Sequence, residues 1–153
     1  MSNALLETAR SLAKNNTGRP RQADLKRCIS TAYYALFHAF AQNAADCLVG
    51  TGPDTPGKAW AHVYRALDHG TAKKACGELR RRGFPVSICE AAEAFVTLQQ
   101  NRHAADYDPY HDVTKSDAIE AINLASVAIE KLNNADRKHR IDLAVQLLLK
   151  KRP

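Results

Sequence analysis

The spacing of apolar residues predicts α-helices along almost the whole chain. Apolar positions recur every three or four residues, and no segment alternates apolar and polar residues for long, as a strand would. The pattern predicts a helix from Ser2 to about Lys14, a turn at residues 15–18 and a long helix from about Arg21 to Leu48. The apolar face of the long helix is interrupted only by Asn43 and consists of Leu25, Ile29, Ala32, Leu36, Phe40 and Cys47.

Turn-forming and capping residues divide the middle of the chain. Thr55 and Pro56 suit the N-cap and the first position of a helix over residues 57–69, which stops at a glycine. Thr71 is then the expected cap of another short helix, which ends at residues 80–83. The sequence therefore predicts two short helices between the long helix and the second half of the chain.

The second half of the chain has sharper helix boundaries. Pro85 opens a helix over residues 85–105, and Pro109 prevents its continuation. Residues 114–117, TKSD, fit a capping box for a last helix towards residue 150, which the pair at residues 133–134 can break. These elements predict an all-α, up-and-down helical bundle of four main helices plus short helices, in one domain over residues 1–153.

Length and composition suit a soluble globular protein. The chain has 153 residues, of which 45% are hydrophobic and 25% are charged. No apolar run approaches the length of a membrane span, and charged residues come too early for a signal peptide, so we expect a cytoplasmic location without membrane contact. The four cysteines lack metal-ligand spacing and are expected to be small buried groups, with no metal or cofactor.

The distribution of charge leaves two interpretations open. The formal net charge is +6, and basic segments at both ends flank an acidic segment at about residues 83–130. The basic segments can bind a polyanion such as RNA, or they can pack beside the acidic one. The cluster Arg80, Arg81 and Arg82 has the same two interpretations, as a polyanion contact or as a solubilising surface.

Two short segments resemble motifs of a known family. Residues 27–39, RCISTAYYALFHA, resemble the AYYA-x-FHA signature of the second helix in HEPN domains, and residues 102–108, RHAADYD, resemble the R-x-x-A-D-Y element before the last helix of that family. The resemblance covers about residues 20–135. It implies an all-α bundle, often a homodimer, and either a metal-independent ribonuclease or an inactive module. It also implies that the protein is part of a toxin–antitoxin or defence system. Its partner there would be a separately encoded nucleotidyltransferase or antitoxin.

The second motif departs from the ribonuclease pattern of the family. That pattern has an arginine followed four to six residues later by histidine, whereas Tyr107 lies five residues after Arg102. The departure favours a module that dimerises and binds RNA or nucleotide. The alternative is an active ribonuclease, in which Arg102 stabilises phosphate charge and His103 or His38 transfers protons. Adjacent helical residues point about 100° apart, so Arg102 and His103 can act together only if the helix ends near them.

The long helix has a polar row opposite its apolar face. Arg27, Thr31, Tyr34 and His38 are spaced at i, i+4, i+7 and i+11, which places them within a narrow band. A dimer interface, direct contact with RNA or nucleotide, and a solvated face all remain open for this row. Tyr107 belongs to the same set of candidate binding residues.

Four further side chains have expected positions. We expect Arg102 to be partly buried with an acidic partner among the three nearby aspartates, and Tyr107 to pack towards the long helix near Tyr34 or His38. Trp60 is expected in the core. His69 is expected to form a structural pair with Arg65 at the end of one helix.

Overall fold

The computed structural model describes residues 1–14 and 21–153, and the regular secondary structure within these residues is entirely helical. The helices are α1 (Ser2–Ala13), α2 (Gln22–Leu48), α3 (Gly57–Ala66), α4 (His69–Cys76), α5 (Val86–Tyr107), α6 (Lys115–Asn134) and α7 (Arg137–Leu148). The prediction of an all-α helical bundle is confirmed. The turn predicted at residues 15–18 lies outside the described residues. No helix in the described ranges is both long enough and apolar enough to cross a lipid bilayer.

The central helix of the bundle is α2, which packs against α1, α3, α5, α6 and α7. Its contact faces are rich in alanine, as are those of α5 and α6, and small side chains allow helix axes to approach closely. Larger side chains fill the centre, where the buried rings of Phe40 and Phe95 stack with centroids 5.2 Å apart. Cys28, Cys76 and Cys89 are buried and Cys47 is half-buried, all as free thiols.

The chain reverses after α5 as its prolines and caps predict. Helix α5 ends at Tyr107, two residues before Pro109. The Gln22 side chain then holds the following loop to the start of α2, because its amide donates to the Val113 carbonyl at 2.7 Å and its oxygen accepts the Val113 N–H at 2.9 Å. The capping box of α6 is confirmed, with reciprocal bonds between Thr114 and Asp117.

In the middle of the chain, the two short helices and the start of α3 at Gly57 are confirmed, whereas the other predicted boundaries are wrong. Helix α3 begins after Pro56, without a cap from the Thr55 side chain, and ends at Ala66. The cap of α4 is Asp68 rather than Thr71, because the Asp68 carboxylate accepts the Thr71 N–H at 2.8 Å. His69 therefore lies in the first turn of α4 and forms no pair with Arg65 at the end of one helix.

Two other expectations have different outcomes. The sequence left open whether the last helix breaks near residues 133–134, and it does, since Ala135 and Asp136 leave the helical conformation between α6 and α7. Trp60 is not in the core. Its half-buried ring stacks on Tyr64, and its indole N–H donates to Asp46 at 2.9 Å, since an indole N–H needs a partner when its ring is shielded from water.

Candidate functional site

A group of aromatic and charged side chains lies where α2, α4 and α5 meet. We call it the Arg102 cluster, and it consists of Tyr33, Tyr34, Phe37, His69, Arg102 and Asp106. In the AYYALFHA run of α2, Phe37 lies one turn after the adjacent residues Tyr33 and Tyr34, and its ring contacts both of theirs. Tyr33 is fully buried, whereas Tyr34 and Phe37 are half-buried, so this face extends from the core to the surface.

Arg102 is the cation of the cluster and comes from the last turns of α5. Its side chain is only 16% exposed, and Cζ lies 5.5 Å from the ring centroid of Tyr33 and 5.4 Å from that of Tyr34. Guanidinium groups at such distances are attracted by the ring faces. The expected acidic partner is confirmed as Asp106, which accepts from Nε at 3.2 Å. Burial lowers the pKa of Arg102, but the hydrogen bond to Asp106 and the electrostatic interactions with Tyr34, Asp106 and Tyr107 together outweigh it, and the pKa is raised overall.

Asp106 connects α5 to α2. Its other carboxylate oxygen accepts a hydrogen bond of 2.5 Å from the Ser30 hydroxyl. The chain Ser30–Asp106–Arg102 therefore restrains the guanidinium from both helices. Asp106 bonds Nε of Arg102 and not its terminal nitrogens, so the ion pair is not the bidentate form in which a carboxylate covers the outer edge of the guanidinium.

His69 is the imidazole of the cluster, and the sequence interpretation missed this role. Its ring stacks on Phe37 with centroids 4.2 Å apart, and Nδ1 lies 2.5 Å from the Tyr33 hydroxyl. The Gln99 amide donates to its carbonyl at 3.3 Å. Burial lowers the pKa of His69, and the nearby charge of Arg102 lowers it further. Asp68 was the signal in the sequence that could have indicated this role. Aspartate is a favoured N-cap residue, and with Asp68 as the cap α4 starts at His69.

His38 lies beside the cluster but has its own partner. Its Nδ1 is 2.5 Å from the Tyr64 hydroxyl, and the two rings stack with centroids 5.7 Å apart, which ties α2 to α3. Burial lowers the pKa of His38. The ring of Tyr34 is close to both imidazoles, with its centroid 6.4 Å from that of His38 and 5.9 Å from that of His69.

The structure separates Arg102 from His103 and Tyr107. Helix α5 continues through Tyr107, so the side chains of Arg102 and His103 diverge. His103 is exposed, and its ring contacts Tyr107 one turn later, with centroids 4.9 Å apart. The expectation that Tyr107 packs near Tyr34 or His38 is wrong, because the uninterrupted helix directs Tyr107 to solvent, where it is 64% exposed.

The remaining candidate cations lie apart from the cluster. Arg27 is exposed near the start of α2. Arg80 forms a double hydrogen bond with Glu93, and Arg81 and Arg82 share Glu78 at 3.7 and 3.2 Å. Arg102 is nine residues beyond Glu93 on α5, about 13 Å along the helix axis.

The acidic partners reduce the positive potential that the triple-arginine sequence suggests. Within the described part of the chain, no group of three or more His, Cys, Asp or Glu side chains is arranged to hold a metal ion.

Comparison with known proteins places this chain in a family. A UPF0332 protein of Archaeoglobus fulgidus is 31% identical to it over 118 residues, which cover 75% of this chain and 78% of that protein. The chain belongs to the UPF0332 family. No family model and no solved structure matches this chain. Its chemistry must therefore be argued from the Arg102 cluster itself.

The cluster of this UPF0332 protein has a definite chemical character. It holds one restrained cation against two aromatic faces, beside an imidazole whose lowered pKa keeps it neutral at pH 7. A partly exposed guanidinium of this kind can bind a phosphate or another oxyanion.

Proposed function

We propose that this UPF0332 protein is a HEPN-like module that dimerises and binds RNA or nucleotide through Arg102, without cleaving it. The observation that supports this most is the restrained guanidinium of Arg102, which lies on the faces of Tyr33 and Tyr34. Restraint by Ser30 and Asp106 reduces the conformational entropy that Arg102 loses when it binds a phosphate. The similarity of both motifs to HEPN domains supports the same function.

The proposal excludes catalysis because the proton-transferring groups are poorly placed. Metal-independent RNA cleavage needs a base for the 2′-hydroxyl, an acid for the leaving oxygen and a cation for the phosphorane. His103 diverges from Arg102, and the Nδ1 atoms of His38 and His69 are bonded to the hydroxyls of Tyr64 and Tyr33. The residue four positions after Arg102 is Asp106, whose carboxylate is already bonded to the guanidinium.

Fluorescence anisotropy with labelled single-stranded RNA tests the proposal. Arg102→Gln should weaken binding about tenfold, as expected for the loss of a charge-assisted contact. It should also reduce the dependence of affinity on salt by about one phosphate contact. Arg10→Gln removes an exposed charge of α1 and is the matched control, with affinity within about twofold of wild type. Equal losses in the two variants, or no RNA or nucleotide binding by the wild type, would contradict the proposal.

A metal-independent ribonuclease is the second candidate, and His69 is the observation that favours it. The lowered pKa of His69 leaves the ring neutral near pH 7, and the charge of Arg102 contributes to that shift. If cleavage occurs in the presence of a chelator, His69→Ala should abolish it and His103→Ala should leave it unchanged. Wild-type protein that binds RNA and leaves it intact would exclude this candidate.

The proposed protein partner, a nucleotidyltransferase or an antitoxin, is implied by the resemblance to HEPN domains and not by the Arg102 cluster. A nucleotidyltransferase or antitoxin gene beside the gene for this chain would support a toxin–antitoxin or defence role. Co-purification of the two products would test whether they form a complex.

A further inference from the structure

A groove on the surface of the bundle follows the seam between α5 and α6. Two adjoining cavities of about 300 and about 260 Å³ occupy it, and Val127 and Lys131 line both of them. On α6 the lining extends from Leu124 to Asn134, which is about 15 Å of helix. The groove shares no residue with the Arg102 cluster, so it is a separate surface of the molecule.

The floor of this α5–α6 groove is apolar and open to solvent. Val127 is 47% exposed, and Val86, the neighbour of the lining residue Ser87, is 62% exposed. Ala94 and Leu124 complete the floor. Exposed apolar side chains that are grouped in a groove, rather than scattered over the surface, are typical of sites that bind another protein.

The rim of the groove is acidic. Glu90 and Glu93 line it from α5, and Glu130 lines it from α6. Lys131 bonds Glu90 across the seam, whereas the exposed Glu130 has no ion-pair partner in the described part of the chain. The groove lies within the acidic segment of the sequence, at about residues 83–130. Its charge therefore favours a basic partner with an apolar face.

Helix α7 has the complementary character. Outside its buried face it has a second apolar stripe of Ile141, Val145 and Leu148, spaced at i, i+4 and i+7. Val145 is 36% exposed, and the other two side chains are half-buried. The exposed Lys138 precedes the stripe, and the basic residues 150–152 follow the helix. From residue 138 to residue 148 the stripe is about 15 Å long, which matches the length of the groove.

We propose that the α5–α6 groove binds α7 of a second copy of this chain, with Val145 of one copy on Val127 of the other. Apolar surfaces of equal length then meet, and the basic ends of α7 lie beside the acidic rim. A helix that inserts apolar side chains at i, i+4 and i+7 into a groove is a recurrent mode of recognition. Because the groove and α7 are different surfaces, this contact is heterologous and is separate from the dimer expected through α2.

Cysteine cross-linking of the full chain tests the contact directly. The half-buried Cys47 is replaced by serine in all samples, and the other native thiols are buried. Val127→Cys and Val145→Cys are introduced into two copies with tags of different mass, which are mixed and oxidised. The mixed disulfide should form at least about tenfold faster than either disulfide between identical variants, since a disulfide needs Cα atoms within about 7 Å. Lys58→Cys, exposed on α3, replaces Val127→Cys in the matched control.

Sedimentation provides a complementation test. Val127→Glu disrupts the groove and Val145→Glu disrupts the apolar stripe of α7, so each variant alone should have a lower weight-average mass than wild type at the same concentration. An equimolar mixture should regain mass, because each mixed pair retains one intact groove and one intact α7. Lys58→Glu is the control and should sediment like wild type. Lys138→Glu should weaken the contact about threefold to tenfold at low salt and less at high salt, because salt screens exposed charges.

Several results would overturn the proposal. These are equal rates for the mixed and the control disulfides, an unchanged mass in Val127→Glu or Val145→Glu, and a mixture of these two variants that does not regain mass. A dimer through α2 alone would persist in both variants and would give no gain on mixing, which distinguishes the two interfaces. If a glutamate variant unfolds, the disulfide rates decide the question, because cysteine keeps a small apolar side chain at both positions.

Discussion

Replacing Arg102 with alanine removes three contacts of one side chain and should destabilise the protein measurably. The ion pair with Asp106 is an i, i+4 pair with side chains 16% and 32% exposed, and such partly exposed pairs contribute about 0.5–1 kcal/mol. Each of the contacts with the rings of Tyr33 and Tyr34 contributes about 0.5–1 kcal/mol. Asp106 keeps its hydrogen bond from Ser30, so its carboxylate is not left without a partner. We expect a total loss of about 1.5–3 kcal/mol.

Urea unfolding and calorimetry measure this loss. For a protein of this length, 1 kcal/mol corresponds to about 2–4 °C in melting temperature, so Arg102→Ala should melt about 3–12 °C below wild type. His103→Ala is the matched control from the next position of α5. Its ring is exposed and contacts only the exposed Tyr107 in the described part of the chain, and we expect less than about 0.5 kcal/mol.

Arg102→Lys separates charge from shape. A lysine keeps the positive charge but lacks the planar guanidinium that contacts two ring faces, so we expect an intermediate stability. A melting temperature of Arg102→Ala equal to that of wild type would refute the reasoning, and so would an equal loss in His103→Ala. Normal melting of both variants together with loss of a real nuclease activity would instead identify a catalytic site.

Two further predictions concern pH and assembly. The pKa values of His38 and His69 are lowered by burial, so the unfolded chain binds more protons than the folded protein as the pH falls below the ordinary histidine value of about 6.5. The free energy of unfolding should therefore be highest near pH 7 and decrease towards pH 5. In urea titrations, His69→Gln should reduce this pH dependence. A free energy of unfolding that rises on acidification over this range would contradict the prediction. Light scattering should show a homodimer formed through α2 and the Arg102 region, and Arg27→Glu at the exposed end of the polar row should shift it towards monomer. A wild-type monomer at all accessible concentrations would exclude the dimer.

The features that follow from helix geometry could be predicted from the sequence. Long periodic segments predicted α2, α5 and α6, and the reciprocal cap of Thr114 and Asp117 follows from residue types three positions apart. The ion pair of Arg102 with Asp106 is also local, because side chains four positions apart on a helix are neighbours.

Features that depend on contacts between distant segments could not be predicted. Asp68 and Thr71 are both good N-cap residues, and the choice between them determines whether His69 ends one helix or starts the next. The partner of His69 is Tyr33, 36 positions earlier in the chain, so no spacing rule indicates their contact. Trp60 was expected in the core on residue type alone, but Asp46 offers its N–H a partner near the surface.

The network around Arg102 bears on the proposal that this chain binds RNA or nucleotide without cleaving it. At the fourth position after the arginine, where that motif can have histidine, this chain has Asp106. The Asp106 carboxylate accepts from Nε of Arg102 and holds the guanidinium in place, so both of its oxygens are engaged by Arg102 and Ser30. The Ser30 hydroxyl of α2 donates to the same carboxylate and so restrains it from a second helix. The three side chains together form a restrained cation, as the proposed binding function requires.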